Sequence, residues 1–359
     1  MQPIETLIPY SNGIKKLKHI TIGDRVFDDL GEQVTVVGVS DEYVKDVYRI
    51  TLNDGRSTEC DSLQRWFITS VWYRENTVPS IITTSEMKSD YKTYSEKSFD
   101  TNSKRDPYRY KYKIPAICKQ VDFNRKDLSI DPYTMGAFIG SRRKIDGNLS
   151  IKSNDKYVPE TIAKKHKIFV QDGLDDKVYW FHDNKNGNFI KASNFFKMYP
   201  ELVGNKIQDR VIPRDYLYNS YHNRLELIRG LMDNAGLVRN NKTGHPIIFM
   251  FNSERVLEQI KTLIMGLGFM GHFITRLTNK IEKKIGIFIS VPNMFKMKMF
   301  THPTKYELTL DAINESEKKV FNQAIVKDIE YVGKKRCKEF KTTSTNDSYI
   351  TNDFIVMHN

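Results

Sequence analysis

Three groups of residues in this chain have types and spacings suited to chemistry. The first is the final stretch, TNDFIVMHN (Thr351–Asn359), where the imidazole of His358 stands beside the carboxamide of Asn359. Imidazole exchanges protons near neutral pH, which few side chains do. The apolar run Phe354–Met357 before the pair reads as a strand that stops without the polar, frayed tail usual at chain ends. The second group is a set of short cationic runs: SRRK (Ser141–Lys144), IKSNDK with Lys152, AKKHK, TRLTNKIEKK and FKMKMF. Lysine and arginine in such numbers suit phosphate oxygens. The third group is Cys60, Cys118 and Cys337, spaced too widely for a CxxC pair, so neither a disulfide framework nor a zinc site is expected. Buried free thiols are the simpler reading.

Composition narrows the classes of partner. Lys and Arg number 56 against 44 Asp and Glu, giving a formal charge of +12 and a pI near 9.3. A polyanionic partner follows from that balance, with nucleic acid ahead of an anionic membrane. No basic amphipathic helix is evident, and no apolar run approaches the roughly 18 residues of a spanning helix. The opening MQPIETLIPY lacks the basic start and apolar core of a signal peptide, so a cytoplasmic location is expected. The Lys-, Asn- and Ile-rich usage suits an AT-rich source such as a bacterium or a phage-infected cell.

The elements needed to position these groups can be read along 359 residues, of which 39% are hydrophobic, enough for two or three domains. Residues 1–75 carry β signals: EQVTVVGV (Glu32–Val39), DVYRITLN (Asp46–Asn53), a turn at Asn53–Gly55, then RWFITSVWY. Residues 85–115 are polar and tyrosine-dotted and read as an exposed insertion or linker. From about 130 an α/β pattern occurs twice. YTMGAFIGS (Tyr133–Ser141) opens one unit and ELIRGLMDNAG (Glu226–Gly236) the other, with Gly136 and Gly230 in equivalent places. Each is followed by a strand-like run (GNLSI; HPIIFMF) and a cap-like cluster (Ser153–Asp155; Asn252–Glu254). Val256, Leu257, Ile260, Leu263, Ile264 and Leu267 then recur at helical spacing, with Gly268 placed to end the helix. β character returns after 320, so the terminal strands are expected to pair around an inserted α/β domain.

Taken together these segments resemble an intein, a self-excising Hint domain interrupted by a LAGLIDADG homing endonuclease. ETLIPYSNGIKKLKHITIGDRVFDDLG is similar to the first Hint block, NDGRSTECDSLQRWFIT to the second and NDFIVMHN to the C-terminal one. YTMGAFIGS and LIRGLMDNAG resemble the two LAGLIDADG helices. The resemblance implies a mainly β, horseshoe-like Hint domain from residues 1–125 and 321–359, the first part carrying the polar insertion near 85–115. An α+β endonuclease domain over 126–320 would interrupt it, with pseudo-symmetric repeats at about 128–220 and 221–320. It further implies a monomer acting on double-stranded DNA with Mg²⁺.

The resemblance also assigns residues. Asn359 would cyclise to release a C-terminal flank, assisted by His358, and the chain end would then be a splice junction. Met1 falls on the nucleophile and Gln64 on the proton-shuttling His of the second block. A thioether cannot become a thiolate, and a carboxamide does not shuttle protons near neutrality, so splicing is not expected as the chain stands. Each endonuclease helix ordinarily ends in a metal-binding carboxylate; here those positions hold Ser141 and Ala235. Asp233 lies two residues earlier, about 200° around the helix, and reads as structural first and as a replacement ligand second. Arg142, Arg143, Lys144 and Lys152 are expected to touch DNA. The expected function is therefore a DNA-binding homing endonuclease with both centres substituted. The alternatives are a non-enzymatic DNA-binding or scaffold protein on the same fold, or an active nuclease with atypical ligands.

Overall fold

The computed structural model describes residues 1–70, 80–94, 108–115, 120–238, 247–278, 282–290 and 323–358, apart from 155, 176, 185–186, 207–208, 252, 269, 346 and 352. Two compact units emerge: Met1–Phe123 with Phe321–Asn359, and Asn124–Val320.

The first unit is antiparallel β, built from both ends of the sequence. Its longest strand, Gln323–Lys338, pairs with Tyr43–Leu52 in a register running from Val326↔Leu52 to Cys337↔Tyr43. A bulge between Val326 and Asp328 inserts one residue and so turns the inward face from Ala324 and Val326 to Ile329, all buried. The N-terminal Gln2–Pro3 pairs with Cys337–Lys338. The strand Val356–His358 lies between Ser348–Ile350 and Arg65–Ser70, with His358 opposite Arg65. A second sheet runs Phe340–Thr342, Gln33–Val39, Arg25–Phe27, Leu7–Tyr10, Gly13–Lys16. Ile50, Cys60, Trp66, Tyr349 and Met357 are each at most 1% exposed and share the core.

Three sequence expectations meet different fates here. The Asn53–Gly55 turn forms, with Gly55 at φ +82°, a left-handed conformation that glycine takes without strain. Residues 85–115 are not simply an exposed insertion. Thr83 and Glu86 form a capping box that starts the helix Thr84–Asp90, and Met87, Tyr91, Tyr112 and Ile114 are buried in the core. Few apolar residues are needed there: Met87 and Tyr91 lie one turn apart on the helix and its C-cap, and Tyr112 and Ile114 alternate with Lys113 on the strand Tyr112–Pro115. The last three residues of RWFITSVWY lie outside the described residues; the first six form the strand Arg65–Ser70.

Near the end of this unit, Arg56 is 5% exposed and its Nε donates to Asp54 Oδ2 at 2.7 Å. Its Nη1 also donates to the carbonyl of Phe354 at 3.2 Å, pinning the approach to the last strand. Removing one partner leaves a buried charge alone, so Arg56→Ala should cost about 3–5 kcal/mol in urea denaturation. Arg56→Ala with Asp54→Ala should lose less than Arg56→Ala alone.

The second unit is organised by two helices, Pro132–Gly140 and Tyr221–Ala235. Asp131 caps the first through Thr134 N, with Pro132 where a missing N–H costs nothing; Ser220 caps the second through Asn223 N. They touch backbone to backbone. A Cβ on Gly136 would lie 2.0 Å from the carbonyl oxygen of Leu227, and one on Gly230 would lie 1.8 Å from that of Tyr133. Each glycine thus faces the carbonyl three residues before the other. Asn234 Nδ2 donates to the Ala137 carbonyl at 2.8 Å and Gly140 packs on Ala235.

Behind each helix the same strand order recurs. Ser150–Lys152 and Phe169–Asp172 flank Val178–His182, with the helix Tyr157–His166 after the first strand. Ile247–Phe251 and Met270–Thr278 likewise flank Glu282–Ser290, with the helix Glu254–Gly266 after the first strand. Ser253 caps that helix as expected, and Gly268 follows it at φ +86°. The first repeat differs: Lys156 takes the cap position without a side-chain bond, so Ser153 does not cap.

Candidate functional site

Two clusters, one in each unit, gather the residues singled out from the sequence. In the first unit the pairing of Val356–His358 with Arg65 draws the end of the sequence to its beginning. The Met1 amine donates to Asp61 Oδ1 at 3.1 Å and to Gln64 Oε1 at 3.3 Å. Asp61 N donates in turn to the Met1 carbonyl at 3.0 Å. Gln64 Nε2 donates to the His358 carbonyl and to that of Arg65. The Gln64 carboxamide therefore bridges both ends, and at 3% exposure it is locked by bonds on each side. The His358 ring lies 4.0 Å from the Phe67 ring and is 7% exposed. Asn359 lies outside the described residues.

These contacts define what the cluster can do. Asp61 stabilises a positive charge on the Met1 nitrogen, and Gln64 holds that nitrogen without supplying an ionisable proton. Met1 offers no nucleophile. Cys60, beside Asp61 in sequence, does not substitute for it. Its thiol is fully buried against Thr84 Oγ1, and burial pushes its pKa up to about 12. Cys337 is buried as well, and burial pushes it up to about 11. Both are core thiols, as expected; Cys118 lies outside the described residues. Asp61 was not singled out for a role from the sequence, where only its place in the second block was visible.

In the second unit the paired helices end side by side at Ser141 and Ala235. Ser141 is 2% exposed and its hydroxyl is fully engaged: Lys152 N donates to Oγ at 3.1 Å, Arg143 N at 3.3 Å, and Oγ reaches the Lys152 carbonyl at 3.4 Å. Asp233 accepts from the Tyr133 hydroxyl at 2.9 Å across the helix pair and is 2% exposed. Arg210, wholly buried, donates to the carbonyls of Phe138 (2.9 Å), Ser141 (2.6 Å) and Arg143. It satisfies the C-terminal carbonyls that a helix leaves open. Burial lowers its pKa to about 10.

Beside these helix ends opens a cavity of about 460 Å³ lined by Arg142, Lys152, Lys177, Ser153, Asn154 and Asn234, with Gly140, Ala235 and Gly236. Arg142, Lys152 and Lys177 are exposed and form no ion pair among the described residues. No described lining residue is a carboxylate. Among the described residues the lining does not supply the hard anionic oxygens that Mg²⁺ requires: Ser141 is spent on backbone bonds, Ala235 has no donor and Asp233 bonds Tyr133. No cluster of three His, Cys, Asp or Glu among the described residues could hold a metal ion.

Of the four cations expected to touch DNA, the cavity takes Arg142 and Lys152. Arg143 and Lys144 are engaged elsewhere. Arg143 donates to Ser150 Oγ at 2.8 Å, lies over the Trp180 ring and approaches Asp175 at 3.9 Å; Lys144 pairs with Asp146 at 3.3 Å. Consecutive residues leaving a helix point in different directions, so a cationic run divides its members. Lys177 was missed. It reaches the cavity because Lys152 pairs with Val178 and Ser153 N donates to the Lys177 carbonyl, a long-range pairing without a local sequence signal.

Solved structures similar to parts of this chain include inteins and LAGLIDADG homing endonucleases, the two families its motifs resemble. The Msm DnaB1 intein splicing domain bound with zinc is 22% identical, with 19% of this chain and 55% of that domain covered and a TM-score of 0.19. Mesophilic variants of the homing endonuclease I-DmoI give 14% identity, coverage of 54% and 97%, and a TM-score of 0.30. Full-length DUF199/WhiA from Thermatoga maritima gives 13%, coverage of 55% and 64%, and a TM-score of 0.31. The chain spans about half the length of that intein domain. No family profile and no curated protein sequence matches it.

Proposed function

We propose that this chain is an intein-type protein whose second unit binds double-stranded DNA without cutting it and whose first unit does not splice. The cavity beside the paired helix ends carries the reading. Three cations without ion-pair partners line it, and no carboxylate does, among the described residues. Such a site attracts phosphate and repels a divalent cation. The reciprocal glycine contacts and the repeated strand order support a single chain acting as both halves of a pseudo-two-fold binder. At the other cluster, Met1 lacks a nucleophile and Gln64 lacks a group that ionises near neutrality, which supports inert splicing. The setting proposed is the cytoplasm of a bacterial or phage-infected cell.

Supercoiled plasmid and a linear duplex library, each with Mg²⁺ or Mn²⁺, test the reading. The expected result is a mobility shift that fades as salt rises, the logarithm of affinity falling by about 0.9 per phosphate contact against the logarithm of salt. No strand should be nicked. Specific nicking would overturn the inactive reading, and no shift even at low salt would overturn DNA binding.

A further inference from the structure

We infer that the cavity at the ends of the paired helices is a phosphate-binding site in which side-chain cations stand where a divalent ion would otherwise be held, so that this unit grips phosphate without metal. The inference rests on the DNA-binding reading for its biological ligand, and on the cavity alone for its chemistry.

The donors point one way. Arg142, Lys152 and Lys177 enter the cavity from three segments, and none is neutralised by an ion pair among the described residues. Arg142 follows directly after Ser141, whose carbonyl is already held by the buried Arg210 guanidinium. That cation makes no ion pair with a carboxylate among the described residues, so the helix ends carry added positive charge. A divalent cation would have to displace this field with almost no ligand to offset it.

Asn234 supplies an independent observation. It is 7% exposed, lines the cavity, and its Oδ1 has no hydrogen-bond partner among the described residues. The orientation is fixed by Nδ2 donating to the Ala137 carbonyl at 2.8 Å; the reverse would set two oxygens against each other. A buried acceptor left open is costly. In an occupied site a lysine ammonium folding onto a phosphate can donate a second N–H to it. Asn234 Oδ1 and the phosphate oxygens then share the same cation, which fixes the ammonium over the anion. One neutral oxygen would not hold Mg²⁺ among three cations.

Two sources carry this chemistry, a phosphodiester of duplex DNA and free phosphate, and the probes separate them. The full chain is titrated with a short duplex and with inorganic pyrophosphate, each in EDTA and in Mg²⁺. Duplex affinity should not rise when Mg²⁺ replaces EDTA at matched ionic strength, since no bound metal mediates it and the free ion only competes for the phosphates. The variant Arg142→Gln/Lys152→Gln/Lys177→Gln changes only exposed side chains, and circular dichroism checks that it folds. It should weaken the duplex about tenfold or more and flatten its salt dependence. Pyrophosphate binding should be lost in the variant. If wild-type chain binds duplex and the variant binds it equally well, the phosphate site is overturned while DNA binding stands. If pyrophosphate binds in a cation-dependent way and duplex does not, the site stands and the DNA reading fails. If neither probe binds, or if Mg²⁺ is required, the inference is overturned.

Discussion

Gly230→Ala is expected to destabilise the second unit by about 3 kcal/mol or more, even though alanine is the better helix former. The propensity gain is about 1 kcal/mol at most for a helix interior. Against it stands a Cβ only 1.8 Å from the Tyr133 carbonyl oxygen and 2.7 Å from its carbon. Those atoms are backbone of the partner helix and cannot move alone, so the helices must separate. Separation would also break the Asn234–Ala137 bond and strain the buried Tyr133–Asp233 bond. Gly136→Ala should behave alike, with 2.0 Å to the Leu227 carbonyl. Gly38→Ala serves as the control, because its nearest neighbour is Lys341 Cβ at an ordinary 3.8 Å. Urea denaturation followed by limited proteolysis should show early loss of the second unit while the first stays protected. An unchanged transition for Gly230→Ala would mean that the helices do not meet at these glycines.

Placing a nucleophile and a proton donor at the first cluster is expected to give measurable splicing where the unaltered chain gives none. The substrate for this test is the chain between two flanking sequences, carrying Met1→Cys and Gln64→His, the second flank opening on a Cys whose thiol accepts the acyl group of the first before Asn359 cyclises. With a residue before it, the residue 1 nitrogen becomes the amide nitrogen that must leave. The side chain at position 64 already reaches it, at 3.3 Å, with Asp61 at 3.1 Å on the same atom. An imidazole there can protonate the leaving nitrogen, a contribution of about 10²–10⁴ in rate. Met1→Cys alone should therefore react slower than the pair by about that factor, and Gln64→His alone should not react. Joined flanks, read on a gel, are the expected product of the pair. Inertness of the folded double variant would show that the terminal cluster lacks more for splicing than these two groups. Cys60 should not rescue Met1, since burial holds its thiol up to about 12.

Much of this was legible from residue types and local spacing. The repeat was legible in YTMGAFIGS and LIRGLMDNAG, with Gly136 and Gly230 in equivalent places, and the missing Cβ at each is what permits the close helix contact found there. β-branched runs at both ends announced strands, and the want of a thiol at Met1, an imidazole at Gln64 and carboxylates at Ser141 and Ala235 is a matter of composition at single positions. Such properties travel with the residue. What only the tertiary structure decided were relations between residues far apart in the chain. Strand register set Lys177 beside Lys152 and divided the SRRK cations between the cavity and internal bonds. Pairing of the last strand with Arg65 joined His358 to Gln64, and Gln64 to Met1. Within the second unit the strand Ser150–Lys152 committed the Ser141 hydroxyl to Lys152, and within the first a polar stretch near 85–115 became part of a core. Hydrogen bonds and burial depend on which backbone lies opposite, and no periodicity along the chain records that.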